Sequence, residues 1–148
     1  MLKVLIAEDD LMIADMLEEI LIEHGYEICG IARTVAEAVA LGQEHKPDLA
    51  VLDLHLAEGG MGTEIVAQLG GAGHIGILYA TGNASLLILT ASDGHACLSK
   101  PYRDVDLVRS LEIVVEMVTT GKATPPFPRG LQLLPPKKMP IVAGAVRE

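Results

Sequence analysis

Two rhythms of apolar and polar positions alternate along this chain. Short solid apolar runs give way to longer stretches in which apolar residues recur every third or fourth place. Leu2 to Ala7 is the first solid run, and it ends in Glu8-Asp9-Asp10. Leu11 to His24 then sets Ile13, Met16, Leu17, Ile20 and Leu21 at helical spacing, with Asp15, Glu18, Glu19 and Glu23 on the opposite side and Gly25 as a stop. Tyr26 to Ala32 alternates like a strand, and Thr34-Val35-Ala36-Glu37 reads as a capping box opening a second helix. Pro47-Asp48 closes that helix and leads into Leu49-Ala50-Val51-Leu52-Asp53, an aliphatic run that ends on a single carboxylate.

Beyond Asp53 the pattern repeats. A loop with Gly59, Gly60 and Gly62 precedes a short helix, Thr63 to Leu69, and Gly70-Gly71 breaks it. Ile75 to Ala80 predicts a fourth strand ending at Thr81-Gly82, and Asn83 to Ala91 a brief helix. Ala96 to Ser99 predicts a fifth strand running into Lys100-Pro101. Asp104 to Thr119 predicts an amphipathic helix capped by Asp104 and ended by Gly121. Five strands alternating with helices predict an α/β chain with a doubly wound five-stranded parallel sheet. Residues 1–121 form that domain. Residues 122–148 hold six of the eight prolines, show no amphipathic period and predict a Pro-rich extended or disordered C-terminal tail.

Composition narrows the partners. The 148 residues carry a net charge of −9, divided as −13 over residues 1–121 and +4 over residues 122–148. An acidic body argues against direct nucleic-acid binding. No apolar run approaches the roughly 18–20 residues of a membrane span, so no membrane insertion is expected. Cys29 and Cys97 have no metal-type spacing and fit a reducing, cytoplasmic setting.

In a parallel sheet the residues just past each strand meet on one rim, where ligands gather. Here that rim receives Glu8, Asp9 and Asp10, then Asp53, then Thr81-Gly82, then Lys100. Converging carboxylates repel unless a cation sits among them. A hard divalent ion such as Mg²⁺ suits such oxygens, and a lysine suits a phosphate. The rim could hold a phosphoryl group in line with a carboxylate nucleophile. Each residue also has a bland reading. The acids could cap the first helix, which is the expected role of Asp10; Thr81 alone would be a turn residue and Lys100 alone a solvated lysine. Only the set lifts them.

That set resembles the receiver (CheY-like) domain of two-component response regulators over about residues 1–120, and Tyr79-Ala80-Thr81-Gly82 is similar to a stand-alone subgroup with an aromatic-Ala-Thr-Gly signature. The resemblance implies a flavodoxin-like (βα)₅ fold and an aspartyl phosphate on Asp53, accepted from a histidine kinase or a histidine phosphotransfer protein. It implies Mg²⁺ held by Glu8, Asp9, Asp53 and the backbone carbonyl of His55. Lys100 and Thr81 would contact the phosphoryl oxygens, Gly82 would leave room for them, and Lys100-Pro101 would be a cis peptide. The chain would be a signalling switch rather than an enzyme, limited to self-catalysed phosphoryl transfer and autodephosphorylation. An unidentified protein target is expected, and a homodimer is left open. No output domain is expected, because a 27-residue tail cannot hold a helix-turn-helix core.

The chain departs from that family at Cys97, three residues before the lysine, where a rotating Tyr or Phe is usual, and at Ala57, where a proline is usual. The segment from Thr81 to Lys100 is about one helical turn short. The alternative function is a phosphorylation-independent interaction module that regulates a partner by direct binding. Enzymes of related fold fit poorly: Glu8-Asp9-Asp10 would repel a flavin phosphate, and His55 stands where a dehalogenase-type phosphatase needs a second aspartate.

Overall fold

The apolar runs become strands because each is long enough to cross the core once and carries side chains for both faces. The computed structural model describes residues 1–82 and 89–136. In it β1 (Lys3–Ala7), β2 (Glu27–Ala32), β3 (Leu49–Leu52), β4 (Gly76–Thr81) and β5 (Ala96–Ser99) pair in parallel. A sixth strand, β6 (Leu131–Leu133), lies antiparallel on the free edge of β5, giving the order β2-β1-β3-β4-β5-β6.

Alternation within the strands sorts the core into two layers. Val4 and Ile6 of β1 pack with Leu17 and Leu21 of α1 (Leu11–Glu23) and with Leu107, Leu111 and Val114 of α4 (Asp104–Thr120). Leu5 and Ala7 face the other way, toward Ala38 of α2 (Val35–His45) and Ile65 and Val66 of α3 (Gly62–Gln68). The result is a three-layer α/β fold. Among the described residues no helix is long and apolar enough to cross a membrane.

Caps fix where each helix starts. Asp10 accepts hydrogen bonds from the Met12 and Ile13 amides at the head of α1, and Thr34 accepts from Glu37 at the head of α2. The expected cap of α4 is corrected: Arg103 takes the cap position and Asp104 is already helical. Asp106 does the capping instead, accepting from the Arg103 amide and pairing with its guanidinium. Gly121 ends α4 with φ +78°, a conformation that costs glycine no steric clash.

Two further differences concern the last third of the chain. The expected helix from Asn83 to Ala91 falls mostly on residues 83–88, outside the described residues; Leu89 and Thr90 are not helical. The sheet is six-stranded and mixed rather than five-stranded and parallel. A bare β5 edge would leave backbone donors and acceptors unpaired. Gly130, with φ +86°, turns the chain so that Leu131–Leu133 supplies them. The preceding segment runs along α4, where Arg109 donates to the Thr124 and Pro126 carbonyls and Thr124 donates to Glu116.

Candidate functional site

The strand order reverses between β1 and β3, so the connections leaving their carboxyl ends diverge and open a crevice there. The sheet ladder runs one residue past each strand and fixes what stands at its mouth. The Glu8 amide donates to the Ala32 carbonyl at 2.9 Å, and the Asp53 amide donates to Ala7 at 2.8 Å. Glu8, Asp9 and Asp53 thereby come together, with one carboxylate oxygen of each within 4.8 Å of the others. Glu8 is buried, while Asp9 and Asp53 are half-buried.

Lys100 reaches the same point from β5. Its backbone amide donates to the Thr81 carbonyl at 2.9 Å, tying the ends of β4 and β5. Its ammonium donates to Glu8 Oε1 at 2.8 Å and to Asp53 Oδ2 at 3.2 Å. The peptide joining Lys100 to Pro101 is cis. Thr81 is buried at the end of β4, opposite Ser99 of β5. Among the described residues, a Cβ added at Gly82 would meet nothing within 4 Å. Asp10 turns away to cap α1, and His55 is exposed, its amide directed at Asp53 Oδ1 at 3.4 Å.

Burial pushes the Glu8 carboxyl up from its ordinary value and the nearby Asp53 charge adds to this, while Lys100 and the Asp10 amide oppose it. Burial works against the charged form of Lys100, but the bonds and charges of Glu8 and Asp53 outweigh it and raise its pKa. Three carboxylates and one ammonium leave a formal excess of two negative charges. The donor set is all hard oxygen, which fits Mg²⁺ in chemistry as well as in charge. The sequence-predicted residues Glu8, Asp9, Asp53, Thr81 and Lys100 thus share one rim, with His55 two residues beyond Asp53.

The aromatic position resolves differently from the family pattern. Cys97 is 3% exposed and stands beside Tyr79 in register. Tyr79 is wholly buried, and its hydroxyl donates to the Asp93 carbonyl at 2.7 Å. It is a packed core residue with a satisfied hydroxyl. Sequence reasoning missed Tyr102, whose half-buried ring lies near Lys100, Glu8 and Asp53 and whose hydroxyl is pushed up to about 12, chiefly by burial. With Ile13, Met16, Leu17 and Ile20 of α1 it lines an apolar groove of about 430 Å³ whose lining includes Lys100. The helical spacing of the α1 residues was the signal for that wall; nothing in the pattern announced the tyrosine.

Comparison with known proteins agrees with this geometry. Residues 4–112 match the family described as response regulator receiver domain. The transcriptional regulatory protein PdtaR of Mycobacterium tuberculosis is 35% identical over 116 residues, covering 76% of this chain and 56% of that protein. The phyllosphere-induced regulator PhyR of Methylorubrum extorquens is 35% identical over 80 residues, 53% of this chain and 30% of PhyR. The chain therefore spans about half or less of these relatives. A CheY-like receiver domain protein from Methanospirillum hungatei superposes with a TM-score of 0.70 at 26% identity, covering 82% of this chain and 99% of that one. The response regulator PhyR from Brucella abortus gives 0.60 at 28% identity, over 70% of this chain and 43% of that one.

Proposed function

This chain belongs to the response regulator receiver domain family, and on that premise we propose that it is a phosphorylation switch whose acceptor is Asp53. A histidine kinase or histidine phosphotransfer protein supplies the phosphoryl group. The observation that carries the reading is the ammonium of Lys100 held between Glu8 and Asp53 at the mouth of the sheet.

An Asp53 carboxylate oxygen attacks the phosphorus of a phosphohistidine. The new O–P bond forms as the P–N bond breaks, and its electron pair leaves on the imidazole. Asp53 is half-buried, with Oδ2 3.2 Å from the Lys100 ammonium, which places it as the nucleophile. Lys100 stands where it can follow the charge onto the transferred phosphoryl oxygens. Thr81, at the end of β4, offers its hydroxyl to the group, and Gly82 adds no side chain beside it. Glu8, Asp9, Asp53 and the His55 carbonyl would hold Mg²⁺, which neutralises charge on the phosphoryl oxygens when bound. Leu11 and Met12, 54% and 78% exposed at the start of α1, offer a protein donor an apolar seat beside the acids. The chain then acts as a switch rather than a turnover enzyme, with self-catalysed transfer and autodephosphorylation, and hands the signal to a protein target in the cytoplasm.

Intact-mass measurement after incubation with acetyl phosphate tests this. The expected result is a gain of one phosphoryl group that requires Mg²⁺ and is absent in Asp53→Asn. A chain that stays unmodified with Mg²⁺ present, or an Asp53→Asn variant modified to the same extent, would overturn it.

A further inference from the structure

Among the described strands, β6 is the one that runs back antiparallel, on the edge of β5. Three antiparallel register pairs hold it: Leu98 with Leu131, Cys97 with Gln132, and Ala96 with Leu133. Outside them the Ser99 amide donates to the Gly130 carbonyl and the Leu134 amide to the His95 carbonyl, both at 3.0 Å, and the Ala91 amide donates to Pro135 at 2.7 Å. Hydrogen-bonded and non-hydrogen-bonded pairs alternate in an antiparallel ladder. Bonds at Ser99–Gly130 and His95–Leu134 therefore place Cys97 and Gln132 as the hydrogen-bonded pair between them.

Little apolar burial backs this strand. Leu131 touches the α1/α4 layer and Leu134 the α2/α3 layer, but Gln132 and Leu133 are exposed. A short ladder with thin packing belongs to the part of a fold that opens most easily. Its first bond is made by Ser99, the residue directly before Lys100. Lys100 is in turn tied to Thr81 through its backbone and to Glu8 and Asp53 through its ammonium. One dipeptide, Ser99-Lys100, thus serves the acidic site and the tail strand together.

We propose that residues 130–135 are an intramolecular strap on the β5 edge, and that strap closure and phosphoryl occupancy of the Asp53 site oppose each other through Ser99-Lys100. This rests on the phosphoacceptor reading of Asp53. In the closed state the Ser99 amide points to Gly130 while the Lys100 ammonium is drawn back onto Glu8. A phosphoryl group on Asp53 puts negative charge farther out from the strand end, so Lys100 leaves Glu8 to follow it. The backbone at Ser99 and Lys100 moves with it, and the bond from the Ser99 amide to the Gly130 carbonyl weakens. Coupling between two sites is reciprocal, so opening the strap must tighten the site for a phosphoryl group by the same factor.

Two variants open the strap by separate physics. Gln132→Pro removes a backbone donor from the central pair without touching the core. Gly130→Val forces a β-branched residue into φ +86°. Gln132→Ala keeps the donor and is the control. In the full chain with Mg²⁺, calorimetric titration with beryllofluoride, a phosphoryl analogue, measures the site. Hydrogen exchange at the Ser99 and Leu134 amides measures the strap. The expected result is lost protection in both opening variants, with affinity for the analogue raised about fivefold or more over Gln132→Ala, the lower range of measured couplings. In the unaltered chain, the analogue should also speed exchange at Ser99. Retained protection in both variants, or equal affinities with the strap open, would overturn the strap while leaving the acceptor intact. Absence of binding to every chain would overturn the acceptor reading and the linkage with it.

Discussion

Replacing Lys100 with Met removes one charge from between two others and keeps most of the side-chain volume. At 2.8 Å from Glu8 and 3.2 Å from Asp53, the ammonium has gross attractions of ~6 and ~5 kcal/mol at an effective dielectric of about 20. Much of that is offset by the cost of drawing the lysine and Glu8 out of water. The side chain of Lys100 is 21% exposed and that of Glu8 only 3%. Without the lysine, Glu8 and Asp53 face each other with oxygens no more than 4.8 Å apart, a repulsion of at least ~3.5 kcal/mol on the same basis. Breaking a fully buried pair costs about 3–5 kcal/mol, so for this partly exposed lysine a loss of about 2–4 kcal/mol is expected.

Urea unfolding at pH 7.5 in a chelator measures that loss. Glu8 already has a raised pKa, and the variant raises it further, so protonation favours the folded state. The deficit is therefore largest at neutral pH and shrinks as pH falls toward the ordinary carboxylate range. Mg²⁺ at ten times its dissociation constant should restore about 1.4 kcal/mol, and the variant should gain more than the unaltered chain at equal concentration. A loss below ~0.5 kcal/mol in chelator, well under the few kcal/mol expected for a buried pair, would refute the electrostatic reasoning. So would a gap that Mg²⁺ fails to narrow.

Other positions give independent checks. Gly62 donates to the Leu54 carbonyl, and a Cβ there would collide with the Asp53 carbonyl oxygen and press on the Tyr79 ring. Gly62→Ala should cost about 1–3 kcal/mol in urea unfolding and abolish acetyl-phosphate labelling; a variant that labels normally would show that the loop absorbs the methyl freely. Burial pushes the Cys97 thiol up to about 11. Its thiolate is scarce at pH 8, so iodoacetamide should modify the half-buried Cys29 well before Cys97, with Cys97 labelling rising as pH climbs toward 11; equal rates at pH 8 would contradict its burial.

Most of the sheet and nearly all of the rim were legible in the sequence, for a physical reason. A strand buried on both faces must be a solid aliphatic run, and a polar residue at its end has few uses beyond the crevice it borders. Asp53 after Leu49–Leu52 and Glu8-Asp9 after β1 follow from that alone. Gly25 and Gly121 stop their helices by local chemistry, so they too could be read early. The α4 cap was misassigned because Asp104 and Asp106 both sit near the start, and only the fold shows which one reaches back to Arg103. Leu131–Leu133 was hidden because three residues are too few to carry a period and prolines flank them. Its pairing depends on a β5 edge about 35 residues earlier in the chain, which no local window contains. The layer mate of Cys97 was also a tertiary matter, since Tyr79 meets it only through the β4–β5 register.

The central claim is that, among several neighbouring acids, Asp53 alone becomes the acyl phosphate. Borohydride reduction of the chain after treatment with acetyl phosphate and Mg²⁺, followed by peptide sequencing, reads this directly, because an aspartyl phosphate is reduced to homoserine. The expected outcome is homoserine at position 53 and unchanged Glu8, Asp9 and Asp10. Reduction at one of those acids instead, or at none with Mg²⁺ present, would contradict the account.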